Sequence, residues 1–488
     1  MTLTSRFLRR PPAPRSSLSW TLAIVSLGLL MTTLDNLVVT TALPSIRHSL
    51  GASIQSLEWT VNAYTLTFAV LLLTGAALGD RLGRRRMFAV GLAIFTLASA
   101  GAAVSASTDA LIAARALQGL GAAIVLPLTL TLLSEAVSPA RRGMALGIWG
   151  GVSGLGVAIG PLVGGAVVSG ISWHWIFWIN VPIGAVLVPL ALTRLNESRG
   201  PSDRLDLCGL LLAAPGLLGM TYAAIRGQAL GWTSATILIA LASGIGFLIA
   251  FVAWELRAPA PMLPMRFFRA RAFAGTNGLS FAMYFGVFGS IFLLAQFFQT
   301  AQGYSPLQAG LRTLPWTGMP MIVAPIAGIL SDRIGPRPLM AVGLALQATA
   351  IAWLAAILTP QVAYSRLIIP FMLAGAGMAL VFAPSANAVL SSVRPREAGQ
   401  ASGATNAIRE LGGVIGVAVL ASVFSAHGSY TSPQAYTAGL TAALPVGAVV
   451  LAIGAVIALM VPKTAPAPDA QEDRPAHTAA IAESPSSA

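Results

Sequence analysis

The sequence predicts an all-α polytopic membrane protein with fourteen transmembrane helices. Only 9% of the 488 residues are charged and 56% are hydrophobic, whereas ordinary soluble domains are roughly 25% charged. Apolar stretches of ~20 residues, the length of a membrane-crossing helix, recur along the whole chain. The predicted spans are residues 18–41, 57–78, 87–106, 110–133, 143–169, 175–193, 207–225, 233–254, 272–298, 307–330, 339–358, 366–391, 401–426 and 437–461.

The basic residues indicate which way these spans are inserted. The chain carries a formal charge of +13, and most of its arginines fall in segments on the same side as the N-terminus, such as Arg84, Arg85 and Arg86. By the positive-inside rule this side is cytoplasmic. We therefore expect a multi-pass protein of the cell membrane with both termini in the cytoplasm. We interpret the positive charge as topological, and we do not expect nucleic acid as a partner.

A repeated segment divides the spans into two sets. "AALGDRLGRRR" at 76–86 and "GILSDRIGPRP" at 328–338 each follow a span on the cytoplasmic side, eight predicted spans apart. Two halves of six spans with two spans inserted between them produce that separation, and duplicated halves are common among transporters. The predicted organisation is a cytoplasmic tail at 1–17, an N-terminal six-helix bundle at 18–195, two inserted helices at 196–256, a C-terminal six-helix bundle at 257–462 and a disordered cytoplasmic tail at 463–488.

At these two loops the sequence resembles the major facilitator superfamily, whose signature is Gly-x-x-x-Asp-Arg-x-Gly-Arg-Arg. The second copy has Gly328 at the first glycine, whereas the first copy has Ala76 there, preceded by Gly75. Other stretches are similar to motifs of the fourteen-span drug:proton antiporters, namely "LDNLVVTTALPSI" at 34–46, "LIAARALQGLGAAIVLP" at 111–127, "GVAIGPLVGG" at 156–165 and "WHWIFWINVPIG" at 173–184. The resemblance implies multidrug efflux driven by the proton gradient, without any cofactor.

Asp35 is a carboxylate placed deep in the first span. With a rise of ~1.5 Å per residue from residue 18, it lies beyond the midplane on the outer side, where a charge costs at least ~2.5 kcal/mol. A buried carboxyl group can shed its charge by taking up a proton, and a nearby cation favours its ionised form. We interpret Asp35 as a group that binds protons or a cationic substrate. The alternative is a structural carboxylate satisfied by neighbouring threonines.

Two further candidates, Arg115 and Glu410, are among the other charged residues that fall within spans. Arg115 enters the fourth span from the outer side, so its depth matches that of Asp35, and a buried arginine needs an acidic or carbonyl partner. The resemblance implies that this arginine takes part in proton coupling; the alternative is a structural ion pair. Glu410 in the thirteenth span is the second candidate for proton coupling, and its alternative is a solvated acid on the cytoplasmic side.

The repeated loops are the candidate gate. An aspartate in such a loop can accept hydrogen bonds from a facing helix N-terminus or from an arginine, and thereby hold the cytoplasmic side closed. The candidate latch residues are Asp80, Arg81, Gly83, Arg84, Asp332, Arg333 and Gly335. The alternative is a pair of plain charged turns.

Small residues on the fifth span and scattered polar or aromatic residues complete the predicted site. Glycines spaced three and four apart let helices approach closely, and a proline removes a backbone hydrogen bond. Two explanations of these small residues stay open. One is close packing of helices, and the other is an antiporter hinge, which the resemblance implies. The hinge candidates are Gly156, Gly160, Pro161, Gly164 and Gly165, and the candidate cavity residues are Tyr64, Trp149, Gln296, Trp316 and Asn387.

These features favour export of amphipathic drugs, cationic ones above all, or other toxic small molecules by proton antiport and alternating access. The expected partners are the substrate, protons and the lipid bilayer, and the chain is expected to work as a monomer. Two alternatives stay open: a dedicated exporter of one endogenous antibiotic or metabolite, and a proton-coupled importer. An enzyme or receptor is remote, because the four histidines form no set with an acid within a span and no metal-ligand spacing.

Overall fold

The computed structural model describes residues 18–52, 54–138, 141–200 and 206–462, and the regular structure in these ranges is helical, with no strand. The predicted tails at 1–17 and 463–488 lie outside the described residues. The helices are α1 (Leu18–Leu50), α2 (Ile54–Leu82), α3 (Arg84–Ala103), α4 (Thr108–Ala136), α5 (Arg142–Gly170), α6 (Trp175–Trp178), α7 (Asn180–Arg194), α8 (Leu207–Leu230), α9 (Ala235–Glu255), α10 (Arg271–Thr300), α11 (Pro306–Thr317), α12 (Met319–Ile334), α13 (Pro336–Ile357), α14 (Tyr364–Ser391), α15 (Ala398–His427) and α16 (Pro433–Met460).

Each predicted span falls on one of these helices or on two consecutive ones. The sixth span is divided into α6 and α7 at Ile179, and the tenth into α11 and α12 at Gly318. Pro315 and Pro320 flank the second break, where each removes a backbone donor. Thirteen segments of the described chain are long and apolar enough to cross a membrane, and α5 is not one of them. The prediction of an all-α, multi-pass membrane protein is confirmed.

Serine caps set the start of several helices. Ser107 and Ser432 precede α4 and α16, and each side-chain oxygen accepts a hydrogen bond from a backbone N–H three residues further along. Such a cap satisfies one of the N–H groups that have no partner in a first helical turn. The cap at Ser107 fixes where α4 begins, and therefore the depth at which this helix carries Arg115.

Helices approach one another most closely at glycines. A Cβ added at Gly75 of α2 would overlap the carbonyl oxygen of Ala123 in α4, and one added at Gly219 of α8 would lie 2.8 Å from the Cα of Gly244 in α9. Small residues at such crossings allow backbones to pack directly. The α2–α4 contact brings together the helices that carry Tyr64 and Arg115.

One side of the molecule is rich in arginine. We call the side where α2, α4, α7 and α12 end the basic face, because the segments that follow carry Arg84, Arg85 and Arg86 after α2 and Arg333 near the end of α12. Helices from the first part of the chain, α1–α7, pack here against helices from the second part, α10–α16. α5 packs along α12 and α14, and α15 packs along α2 and α4. The helices α8 and α9 pack against each other, and α8 also lies against α2 and α15.

The close α2–α4 contact makes a stability prediction. Replacing Gly75 with valine adds atoms where the Ala123 carbonyl already lies, so we expect destabilisation by about 1–3 kcal/mol, the usual effect of overpacking. The measurement is the thermal unfolding of the detergent-solubilised protein. Gly101→Val in α3 is the matched control, because nothing lies within 4 Å of a Cβ added there. Equal melting temperatures for the two variants would contradict this packing.

Candidate functional site

A buried ion pair joins α1 and α4. An Nη1 hydrogen of Arg115 is donated to Oδ2 of Asp35 at 2.5 Å, and neither side chain has any exposed surface. Two residues whose depths in the membrane were inferred from the sequence to match are therefore in direct contact. Truncating one partner of such a pair costs about 3–5 kcal/mol, because the other charge is left uncompensated.

Two side-chain amides and one hydroxyl complete the polar surroundings of Asp35. Its Oδ1 accepts hydrogen bonds from Nε2 of Gln118 at 3.1 Å and from Nδ2 of Asn180 at 2.8 Å. Ser99 Oγ accepts from the same two amides, at 3.2 and 3.1 Å, and donates to the carbonyl oxygen of Phe177 at 2.9 Å. The carboxylate thus contacts α1, α4 and α7, and α3 supports it through Ser99. None of Ser99, Gln118 and Asn180 was singled out from the sequence.

Arg115 is held from several directions as well. Its Nε donates to the carbonyl oxygen of Thr60 at 3.1 Å, and Nη1 also donates to Oε1 of Gln118 at 2.9 Å. The guanidinium carbon lies 4.4 Å from the ring centre of Tyr64, a cation–π contact, and the Tyr64 hydroxyl donates to the carbonyl oxygen of Thr32 at 3.4 Å. Tyr64, a candidate cavity residue, is 2% exposed and packs against this arginine.

Glu410 does not join the Asp35 pair. Its side chain is half-buried on α15, and among the described residues it makes no hydrogen bond or ion pair. The two acids lie on helices from different parts of the chain, Asp35 on α1 and Glu410 on α15.

At the basic face, Asp332 binds the start of α5. Its Oδ1 accepts from the backbone N–H of Gly143 at 3.0 Å and its Oδ2 from that of Met144 at 3.2 Å. A carboxylate at this position satisfies first-turn donors and is favoured by the positive end of the helix dipole. The contact links the end of α12 to α5, whose Gly143 carbonyl would overlap a Cβ on Gly328.

Asp80 makes the corresponding contact through an arginine. The Nε of Arg84 donates to its Oδ1 at 2.8 Å, while Arg84 Nη2 donates to the carbonyl oxygen of Arg396, before α15, at 3.0 Å. Arg84 also pairs with Glu135 and is completely buried. The Asp80 carboxylate lies against Gly399 in the first turn of α15, where a Cβ would overlap it.

The two contacts also differ in their small residues. A Cβ on Gly403 of α15 would lie 2.6 Å from the Cβ of Ala76. The glycine of the facing helix therefore leaves room for the alanine that replaces the first glycine of the signature in this copy. Of the other loop residues, Gly83 and Gly335 have φ of +111° and +83°, which favours glycine, and Arg81 and Arg333 are exposed.

The glycines of α5 lie against helices from both parts of the chain. A Cβ on Gly156 would lie 3.3 Å from Thr33 of α1, and one on Gly165 would lie 3.4 Å from Leu307 of α11. Gly160 and Gly164 are buried, and the side chain of Pro161 lies outside the described part of the structure. The helix therefore sits between the two parts along most of its length.

The remaining cavity candidates are not brought together. Trp149 is 1% exposed, donates from Nε1 to Thr129 Oγ1 at 3.1 Å and stacks on Phe382. Trp316 is also buried, against Phe371. Gln296 accepts a hydrogen bond from the Tyr430 hydroxyl at 3.1 Å on the side opposite the basic face, and Asn387 lies 3.5 Å from Ser331 Oγ near the basic face.

An apolar cleft lies next to the Asp35 site. It has a volume of about 490 Å³ and is lined by residues of α1, α5 and α7, including Leu34 and Asn180, together with Ile179. Asn180 therefore touches both the cleft and the Asp35 carboxylate.

Comparison with known proteins identifies the family of this chain. The family model of the Major Facilitator Superfamily matches residues 25–417, with a second match at 276–486. The cephamycin export protein CmcT of Amycolatopsis lactamdurans is 39% identical over 412 residues, covering 82% of this chain and 83% of that protein. The puromycin resistance protein pur8 of Streptomyces alboniger is 35% identical and covers 90% and 89%. The multidrug resistance protein Stp of Mycobacterium tuberculosis is 36% identical and covers 84% and 76%.

Solved structures show the same fold at low sequence identity. The human organic anion transporter MFSD10 superposes with a TM-score of 0.66 at 17% identity, covering 92% of this chain and all of that one. The proton:xylose symporter XylE superposes with a TM-score of 0.67 at 16% identity, covering 92% and 97%. With these helices, motifs and relatives, the chain belongs to the major facilitator superfamily of membrane transporters.

Proposed function

We propose that this transporter is a proton-coupled antiporter that exports amphipathic small molecules, cationic drugs included, by alternating access. The observation that carries the proposal is the Asp35 carboxylate, which is fully buried at membrane depth and held by Arg115, Gln118 and Asn180. A charged carboxylate at such a place is expensive, whereas one that binds and releases protons explains why a transporter keeps it.

The hydrogen bonds around Asp35 explain how a proton would change the site. Protonation removes the charge that attracts Arg115, but the arginine keeps its bonds to the Thr60 carbonyl and to Gln118. The ion pair between α1 and α4 can therefore open while the guanidinium keeps hydrogen-bond acceptors. In the reverse direction, a cationic substrate or Arg115 favours the ionised carboxylate, so substrate binding and proton release are linked.

The contacts at the basic face support an alternating-access cycle. We place this face in the cytoplasm by the positive-inside rule. The Asp332–α5 and Arg84–Arg396 contacts then hold α1–α7 against α10–α16 on the cytoplasmic side, which corresponds to an outward-facing state. Opening these contacts would turn the pathway toward the cytoplasm.

This cycle uses the organisation expected from the sequence. Two six-helix halves, 18–195 and 257–462, would rock against each other, with α8 and α9 inserted between them as a hairpin. α5 serves as the fourteenth span, because its 29 residues extend ~43 Å as a helix and its one charged residue is Arg142 at the start. One chain then holds a complete pathway and works as a monomer, with both termini in the cytoplasm.

A second candidate function is export of one endogenous antibiotic. Relatives named for cephamycin export and puromycin resistance favour it, whereas a relative named for multidrug resistance favours a broad range of substrates. The same Asp35 site serves either function.

Asp35→Asn is expected to abolish proton coupling. In inverted membrane vesicles acidified inside, a fluorescent pH probe should report proton release from the wild type when a panel of cationic and neutral drugs is added. The variant should give none, because the amide cannot bind the coupled proton. Asp109→Asn is the matched control, since this exposed aspartate lies in the first turn of the same helix as Arg115. Undiminished release in Asp35→Asn would contradict the assignment.

Asp332→Asn is expected to loosen the cytoplasmic gate. A reporter can be built by replacing the free cysteine, Cys208→Ser, and introducing Ser402→Cys at a buried position whose hydroxyl donates to the Pro127 carbonyl across the gate at 2.9 Å. The amide keeps one acceptor oxygen but removes the charge that the positive end of the α5 dipole favours, which is worth ~0.3–1 kcal/mol, so alkylation by N-ethylmaleimide should be about 2- to 5-fold faster.

Asp206→Asn is the matched control for the gate experiment. Asp206 caps α8, accepting from the Gly209 N–H at 2.7 Å, but its recorded bonds stay within the α8–α9 hairpin and do not cross the gate. Equal alkylation rates in Asp332→Asn and the parent would show that the Asp332 contact does not hold the gate closed.

A further inference from the structure

Arg409 is a buried cation whose hydrogen-bond donors are largely unused. The side chain has no exposed surface, and within the described ranges its one hydrogen bond runs from Nη2 to the Ser385 hydroxyl at 2.8 Å. Its Nε and Nη1 find no acceptor among the described residues. Buried donors without acceptors, and buried charges without counter-charges, are strongly unfavourable. Arg409 therefore has free donors that a ligand entering from outside the described residues could use.

No carboxylate of the described chain pairs with Arg409. Glu410 is next in sequence and interacts with Arg409 electrostatically, but adjacent residues on a helix point in different directions, and the two form no hydrogen-bonded ion pair. Arg115, the other arginine buried at membrane depth, is paired with Asp35 and also bound to Gln118. One nitrogen of Arg115, Nη2, finds no acceptor among the described residues, whereas Arg409 has two such nitrogens and no ion pair.

Aromatic rings cover the guanidinium at the boundary between the two parts of the chain. Its carbon lies 5.1 Å from the ring centre of Phe382 and 5.8 Å from that of Tyr284. Phe382 in turn stacks on Trp149 of α5, with ring centres 5.3 Å apart and planes 14° from parallel. The α5–α14 contact therefore closes over Arg409, and separating the helices at the basic face would uncover it.

We propose that Arg409 binds an anionic oxygen of the substrate, a carboxylate above all, when the gate opens to the cytoplasm. This rests on the proposed export function and deepens it by naming a substrate class: amphipathic aromatic molecules that carry an acidic group. A guanidinium binds carboxylates through several charge-assisted N–H bonds. The rings of Phe382, Tyr284 and Trp149 supply faces for the aromatic body, while the unpaired Glu410 beside them accommodates a basic group on the same molecule.

The test uses two dyes that differ only in the acidic group. Rhodamine 110 carries a free benzoic acid, and rhodamine 123 is its methyl ester. Their affinities for the purified protein in lipid nanodiscs are measured by fluorescence anisotropy. The wild type should bind rhodamine 110 more tightly. Arg409→Gln should lower the affinity for rhodamine 110 about 10- to 100-fold, which is the value of a charge-assisted hydrogen bond. It should change the affinity for rhodamine 123 by less than about threefold. Arg409→Lys should retain part of the preference, because the charge remains.

Arg312→Gln is the matched control, since Arg312 also lies over an aromatic ring, that of Tyr304, but near the opposite face. It should leave both affinities unchanged. Equal weakening of both dyes by Arg409→Gln, or no preference for rhodamine 110 in the wild type, would overturn the proposal. If Arg409→Gln does not fold, an equal effect of Arg409→Lys on both dyes overturns it. Drug-dependent proton release from Asp35-containing vesicles reports on antiport separately, so the two proposals can fail independently.

Discussion

The ion pair between Asp35 and Arg115 is the constraint around which the first half of the membrane region is arranged. Two opposite charges without any exposed surface are tolerated in a low-dielectric interior only when their remaining donors and acceptors are also satisfied. Gln118 and Asn180 donate to the carboxylate, and Ser99 accepts the second N–H of each of these amides. These contacts join four helices, because α7 supplies Asn180 and α3 supplies Ser99 to the pair formed by α1 and α4.

At the basic face, two different contacts join the first part of the chain to the second. Asp332 accepts directly from the first N–H groups of α5, whereas Asp80 is held by Arg84, which reaches the carbonyl of Arg396 before α15. The direct contact requires the closest approach, and Gly328 allows it. In the other copy Ala76 adds a methyl group, Gly403 makes room for it, and the longer arginine side chain spans the remaining distance. Both contacts link helices from different parts of the chain, and neither lies within hydrogen-bond range of Asp35. Coupling between proton and gate must therefore pass through the packed helices α1, α4, α5 and α15.

Much of this architecture could be predicted from the sequence, and the exceptions have physical reasons. The helices and the contact between Asp35 and Arg115 follow from apolar length, from matching depths and from the cost of a lone charge in hydrocarbon. Gln118 lies three residues after Arg115, so helical periodicity could have found it. Ser99 and Asn180 could not be found, because only tertiary packing brings α3 and α7 to the carboxylate. Trp149 and Trp316 stay predicted cavity residues; their burial in this structure could not be found from the sequence either, because burial by a distant part of the chain leaves no local pattern.

The central claim is that Asp35 changes its protonation state while it remains buried. Infrared difference spectroscopy of the protein in lipid, recorded while the pH is lowered from alkaline to acidic, detects the carbonyl stretch of a protonated carboxylic acid directly. We expect a band that grows as the pH falls, disappears in Asp35→Asn and persists in Glu410→Gln. A wild-type spectrum that the Asp35→Asn substitution leaves unchanged over the whole pH range would mean that Asp35 stays ionised, and it would contradict the assignment of proton coupling to this residue.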